Sequence, residues 1–269
     1  MKNPTETTSA TSALSAFSGL KSPGSALLAL ERLLLPNACI ACQRWVGDRD
    51  PDVLVCARCR LRLQPLLGGC GRCRQPWPLI GRCRFCAEWP AELAWARSAV
   101  WLDHEAREMV HHLKYGGYQQ LALVMAEVIA RHAPRPPGGA LVPVPLTRRR
   151  FQERGYNQAA LIARALSRTW DLPVREQLLT RQRDGGSQTA LTPQERLANV
   201  AGAFSAAPPP HRLAAEAGGG PACGVIIVDD VLTTGATLVA AAQALAQNGW
   251  SHVGAVTFAR ALPFERRVT

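Results

Sequence analysis

The segment Val225 to Thr237, VIIVDDVLTTGAT, constrains the fold of this chain more than any other stretch. Residues 224–228 are a continuous apolar run rich in β-branched residues, the pattern of a strand buried on both faces of a parallel sheet. Asp229 and Asp230 follow at once, and Thr233, Thr234, Gly235, Ala236 and Thr237 turn the chain into an Ala-rich helix over Leu238 to Gln247. A strand that ends in charge and passes through small residues into a helix belongs in an open α/β sheet, whose ligands sit at the carboxyl ends of the strands. The rest of the chain agrees. Ala96 to Trp101, Ala140 to Val144 and Val253 to Ala259 read as strands, and His104 to Lys114, Leu121 to His132 and Asn157 to Trp170 as helices. Strands that alternate with helices predict an α/β fold with a mainly parallel sheet.

The residue types in the turn specify a ligand chemistry. Small residues allow the backbone to close around a phosphate, whose charge is favoured by the free N–H groups of the following helix N-terminus. The hydroxyls of Thr233, Thr234 and Thr237 add donors. Adjacent carboxylates repel a phosphate, so Asp229 and Asp230 must face something that donates hydrogen bonds, such as the vicinal hydroxyls of a ribose. Together these features imply a sugar phosphate. The competing reading is an ordinary strand-to-helix turn with solvated acids. The turn lacks the Gly-Lys-Ser/Thr of a Walker loop.

VIIVDDVLTTGAT resembles the signature of type I phosphoribosyltransferases over its whole length. The resemblance implies that phosphoribosyl pyrophosphate binds with Mg2+, that Asp229 and Asp230 contact the ribose hydroxyls, and that Thr233, Thr234, Gly235, Ala236 and Thr237 cradle the 5-phosphate. The upstream segment Leu141 to Gln158, LVPVPLTRRRFQERGYNQ, narrows this further, since it resembles the ComF family of competence-associated proteins, including its GntX-like members. By that resemblance the loop after the Leu141 strand faces pyrophosphate, and Arg148, Arg149, Arg150 and Arg154 are candidates to neutralise it. Lys114, in the Lys-Tyr-Gly-Gly sequence that closes a helix, is a further candidate phosphate contact. Arg181 to Asn199 falls where relatives carry a flexible loop that closes over the ligand, with Gln188, Thr189, Arg196 and Asn199 as its candidate contacts. The expected fold is a type I phosphoribosyltransferase-like parallel-sheet domain with a small N-terminal zinc-ribbon module.

Four Cys-x2-Cys pairs, Cys39/Cys42, Cys56/Cys59, Cys70/Cys73 and Cys83/Cys86, occupy the N-terminal third. Each can present two thiolates to a tetrahedral ion, and 13 residues separate the first two pairs and nine the last two. Paired in order they make two four-thiolate zinc sites; an interleaved pairing of first with third is open to the same sequence. Four thiolates leave no position for substrate, which makes the zinc structural. The stretches between the pairs are rich in Gly, Pro and Arg, as expected where metal replaces a core. The ninth cysteine, Cys223, reads as a small buried hydrophobe.

The chain has 269 residues and divides by these signals into a disordered tail over 1–22, a helix plus double zinc ribbon over 23–90, and the phosphoribosyltransferase-like domain over 91–269. No stretch reaches the roughly 18 apolar residues of a membrane span, and the Ser/Thr-rich start lacks the apolar core of a secretory signal, so a cytoplasmic protein is expected. A net charge of +11 attracts polyanions. With the ComF resemblance it points to single-stranded DNA and DNA-uptake proteins as partners. Phe151 and Tyr156 beside the arginine cluster, or Trp77, Phe85 and Trp89 in the cysteine module, could stack bases, with core packing as the rival role for each.

Overall fold

The computed structural model describes residues 38–47, 50, 54–76, 83–133, 135–136, 139–182, 202–209 and 224–261. The expected tail, the helix near residues 25–35, Trp77, Cys223 and the loop contacts Gln188, Thr189, Arg196 and Asn199 lie outside these residues.

Among the described residues the central sheet has four parallel strands: β1 (Leu93–Trp101), β2 (Ala140–Pro143), β5 (Val225–Leu232) and β6 (Val253–Arg260), in the order β1-β6-β5-β2. A short antiparallel pair, β3 (Leu179–Arg181) and β4 (Phe204–Ala206), stands beside it. Arg181 is thus the end of a strand, with its guanidinium over the Phe204 ring, and not the start of a loop.

Side chains alternate across β5 and β6, so each face of the sheet acquires its own core. Ile226, Val228, Val256 and Phe258 pack with helices α2 (His104–Tyr115), α3 (Leu121–His132) and α5 (Gln158–Trp170). Val225, Ile227, Val253 and Ala255 face α6 (Ala236–Gln247). The result is a three-layer α/β sandwich whose carboxyl strand ends share one rim.

The cysteine-rich segment is not a pendant. It includes the short helix α1 (Ala57–Arg62). Its first four cysteines belong to the α2/α3 side, where His104 Nε2 lies 3.2 Å from the Ala41 carbonyl and Arg60 pairs with Glu127 at 2.9 Å. Its last four belong to the α6 side, with Cys73 and Cys86 in the same apolar cluster as Ala236 and Leu238. Between them the Leu66 amide donates to the Ala99 carbonyl at 2.9 Å, so the module also covers the outer edge of β1.

Two boundaries differ from expectation. β5 continues through the acids to Leu232, because Asp229 and Val231 pair with Thr257 and Ala259 of β6. The arginine cluster is a short helix, α4 (Arg148–Arg154), where a loop was expected. Its caps were legible: the Thr147 hydroxyl accepts from the Arg150 amide at 3.2 Å, and Gly155 ends it at φ 79°, which few other residues adopt.

Candidate functional site

Parallel pairing of β2 with β5 brings the ends of these strands together, and α4, the last turn of α2 and the β5–α6 turn meet at the same rim. Asp230 is 2% exposed. Its Oδ1 accepts from the Gln158 amide at 3.0 Å, and its Oδ2 is ion-paired with the Lys114 ammonium. Gln158 in turn accepts from Arg154, whose guanidinium lies 5.4 Å from the Tyr115 ring centroid. A connected polar chain therefore runs Arg154, Gln158, Asp230, Lys114.

The two acids differ in charge. Burial and the neighbouring Asp230 carboxylate push Asp229 up to about 8. Burial would also raise Asp230, but the Lys114 ammonium and the Gln158 amide outweigh it and hold this carboxyl below the ordinary range. With Asp229 raised and Asp230 held ionised beside Lys114, the two acids differ in donor and acceptor capacity, a pattern that fits a vicinal diol.

A stability test follows from that shift. In the unfolded chain Asp229 loses its proton near 3.8, in the folded chain only near 8. Between these values the folded state binds more protons, so this group's contribution is most favourable below the lower value and is lost as pH rises through the upper one. Asp229→Asn should therefore raise the melting temperature of the ligand-free protein at about pH 7.5, by about 4 °C or more, given about 2–4 °C per kcal/mol for a chain of this size. The gain should fade as pH is lowered toward the ordinary carboxylate value. Scanning calorimetry over a pH series reads it, and a gain that does not change with pH would show that Asp229 is ordinarily ionised.

The β5–α6 turn has the expected form. Gly235 sits at φ 90° as the N-cap of α6, and no side chain caps the helix. The Thr234 hydroxyl reaches the Ala236 amide at 3.4 Å. Thr233 is exposed, Thr234 and Thr237 are half-buried, and Gly235 and Ala236 are buried. The helix N-terminus and the hydroxyls of Thr233, Thr234 and Thr237 therefore lie together at the rim, an arrangement suited to an anion.

The basic residues separate. Lys114, Arg150 and Arg154 line a cavity of about 330 Å³ with Tyr115, Gly117, Glu153 and Tyr156. Arg149 turns outward and pairs with Glu153 at 2.8 Å, and Arg148 is exposed on α4. Lys114, the further candidate phosphate contact, is ion-paired with Asp230 at the edge of this cavity. Gln158, which bonds Asp230, escaped sequence reasoning although it closes the Arg-Gly-Tyr-Asn-Gln segment; its place one residue after the helix N-cap Asn157 was the available signal. Tyr156 is half-buried and its hydroxyl donates to the Leu113 carbonyl at 2.5 Å, so it fastens α2 to α5 and offers little ring to a base.

The cysteines cluster in chain order, Cys39, Cys42, Cys56 and Cys59 in one group and Cys70, Cys73, Cys83 and Cys86 in the other, with the sulfurs of each within 4.8 Å of one another. The interleaved pairing is excluded. Separations of 3.8 Å for Cys42–Cys56, 3.6 Å for Cys70–Cys86 and 3.8 Å for Cys73–Cys83 match the edge of a tetrahedron with zinc–sulfur bonds of about 2.3 Å, which is about 3.8 Å. The thiols are also in conflict without a cation. Burial pushes Cys39, Cys59, Cys73 and Cys86 up. The Arg44 amide brings Cys42 down to about 7, and at Cys70 backbone amides and neighbouring thiols outweigh burial and do the same. One thiolate per group is easily formed and the next is opposed; a divalent ion resolves this, and both groups fit zinc.

Comparison with known proteins follows the same lines. The family model of the phosphoribosyl transferase domain matches residues 153–265. The chain is 30% identical over 220 residues to the DNA utilization protein YhgH of Escherichia coli, which covers 78% of this chain and 85% of that protein. Competence protein F of Haemophilus influenzae is 27% identical over 229 residues, 83% of this chain and 90% of its own length. Competence protein ComFC of Bacillus subtilis is 28% identical over 209 residues, 74% and 80% of the respective chains.

Proposed function

Because this chain belongs to the ComF family of phosphoribosyltransferase-type proteins, with two four-cysteine clusters ahead of an α/β phosphoribosyltransferase domain, we propose that it binds phosphoribosyl pyrophosphate with Mg2+ at the β5–α6 turn and serves DNA uptake or utilisation. The observation that carries the ligand assignment is the adjacent acid pair at the end of β5, Asp229 half-buried and Asp230 buried and ion-paired with Lys114, beside a Thr-rich helix N-terminus. Asp229 and Asp230 would take the ribose hydroxyls, and Thr233 to Thr237 the 5-phosphate. Arg150 and Arg154 would face pyrophosphate across the cavity beside Lys114, with Arg148, Arg149, Gln188, Thr189, Arg196 and Asn199 as outer contacts. Mg2+ suits a site of one or two carboxylates plus ligand phosphates, which this rim offers, and would neutralise the pyrophosphate. In this reading residues 23–90 are a structural zinc module and 91–269 the ligand-binding domain. Titration calorimetry with phosphoribosyl pyrophosphate and Mg2+ tests it, and no heat of binding would contradict it.

The names of the relatives, DNA utilization protein and competence protein, support the DNA role. An exposed basic and aromatic surface gives it a physical basis: Tyr115, which lines the cavity with Arg150 and Arg154, and Phe151, next to Arg150 in the chain, are 71% and 50% exposed. Single-stranded DNA should bind without sequence preference. If about three phosphates are engaged, the slope of log affinity against log salt is about −2, and affinity falls about 20-fold from about 50 to about 200 mM salt. Fluorescence anisotropy reads this; absence of binding at low salt would move the DNA role onto protein partners.

The same cavity supports an alternative, transfer of the phosphoribosyl group to an unidentified small-molecule acceptor as pyrophosphate leaves. Pyrophosphate release measured across a panel of amine and nucleobase acceptors separates the two readings.

A further inference from the structure

The cysteine module touches the β5–α6 turn itself. A Cβ built on Gly235 would lie 2.7 Å from Cζ2 and 2.9 Å from Cε2 and Nε1 of Trp89, so the indole lies directly against the turn's backbone. Trp89 follows Cys86 by three residues and is 7% exposed. Its position is fixed from several sides. The Phe85 ring meets it edge-on at 5.4 Å, and its amide donates to the Cys86 carbonyl at 3.2 Å. Arg72, between Cys70 and Cys73, stands 5.9 Å over the indole and donates to the carbonyls of Cys86 at 3.2 Å, Trp89 at 2.9 Å and Leu93 at 2.7 Å.

A second grip reaches the strand that leads into the turn. Leu232, the last residue of β5, pairs with Arg260 of β6. Arg260 is fully buried, donates to the Cys73 carbonyl at 2.7 Å and lies 3.8 Å over the Phe85 ring. The second cluster therefore holds both the approach to the turn and the turn. Thr233 to Ala236 carry little side chain of their own to pack, so an external wall is what can keep their amides convergent.

We propose that Trp89 is a positioning residue for the β5–α6 turn, and that metal in the Cys70/Cys73/Cys83/Cys86 cluster sets the order of that turn through it and so regulates affinity for a phosphorylated sugar. The affinity half rests on the ligand assignment above; the ordering half is independent of it.

The test uses the full metal-loaded chain. Hydrogen exchange is followed in a peptide over residues 233–239, with a peptide over 159–166 of α5, on the other face of the sheet, as internal control, without ligand. Trp89→Ala should speed exchange in the first by about tenfold or more and leave the second unchanged at full zinc content; Trp89→Phe, which keeps an apolar wall, should fall between. Cys83→Ser, which gives up the second ion, should reproduce the acceleration. Calorimetry with phosphoribosyl pyrophosphate and Mg2+ should then show affinity weakened about 5- to 150-fold in Trp89→Ala, the usual range of coupling between sites. Unchanged exchange over 233–239 in Trp89→Ala overturns the positioning role whether or not the ligand binds. A Cys83→Ser chain that has lost an ion yet exchanges as wild type overturns the regulation. A wild-type chain that exchanges as expected but binds no phosphoribosyl pyrophosphate overturns the ligand assignment and the affinity half, and leaves the ordering half confirmed.

Discussion

Replacing Cys39 and Cys59 with serine should lower the zinc content of the purified protein from about two ions per chain to about one, and the loss should be large in stability terms. Both sulfurs are fully buried, and they sit where the Ile40 amide donates to the Leu54 carbonyl and the Cys56 amide reaches the Cys39 sulfur at 3.4 Å. The segment has few apolar residues besides Ile40, Val46, Val55 and Leu63, so the ion is the centre of its packing. Structural zinc contributes on the order of 10–16 kcal/mol to such modules, more than the whole stability of many domains. A chelator should likewise broaden and lower the thermal transition. Because the clusters are separate, Cys70, Cys73, Cys83 and Cys86 should keep their ion in this variant. Metal analysis decides: two ions retained, or none in the wild type, would remove the assignment.

Much of the site was legible because its signals are local. Residues 225–237 carry strand, acids, turn and helix within one stretch, and the thirteen- and nine-residue spacings already favoured sequential clusters. What sequence could not supply depends on which groups meet across long separations. An arginine at the end of an apolar strand reads as solvated, yet Arg260 is buried beneath Phe85 because the second cluster folds over β6. Trp89 and Phe85 offered themselves as base-stacking rings; packing on Gly235 and Arg260 takes the use of both, and Phe151 remains exposed. The ion pair of Lys114 with Asp230 was not legible because the two lie more than a hundred residues apart in the chain, and only the fold brings them together.

The central claim is that the Asp229/Asp230 pair recognises a ribosyl phosphate. A hydrogen bond to a charged group contributes roughly 1.5–3 kcal/mol and a neutral one roughly 0.5–1.5 kcal/mol, so loss of both acids should weaken binding by about 30- to 2,000-fold. Removal of Asp230 alone also leaves the Lys114 ammonium without its partner, which adds to the effect. Thr234→Val should cost less, because the turn's backbone amides remain. Titration calorimetry of phosphoribosyl pyrophosphate with Mg2+ against the wild type and the Asp229→Ala/Asp230→Ala variant, both zinc-loaded, tests this most directly. Saturable binding by the wild type and none at the same concentrations by the variant is the predicted result; equal affinity in the two would contradict it.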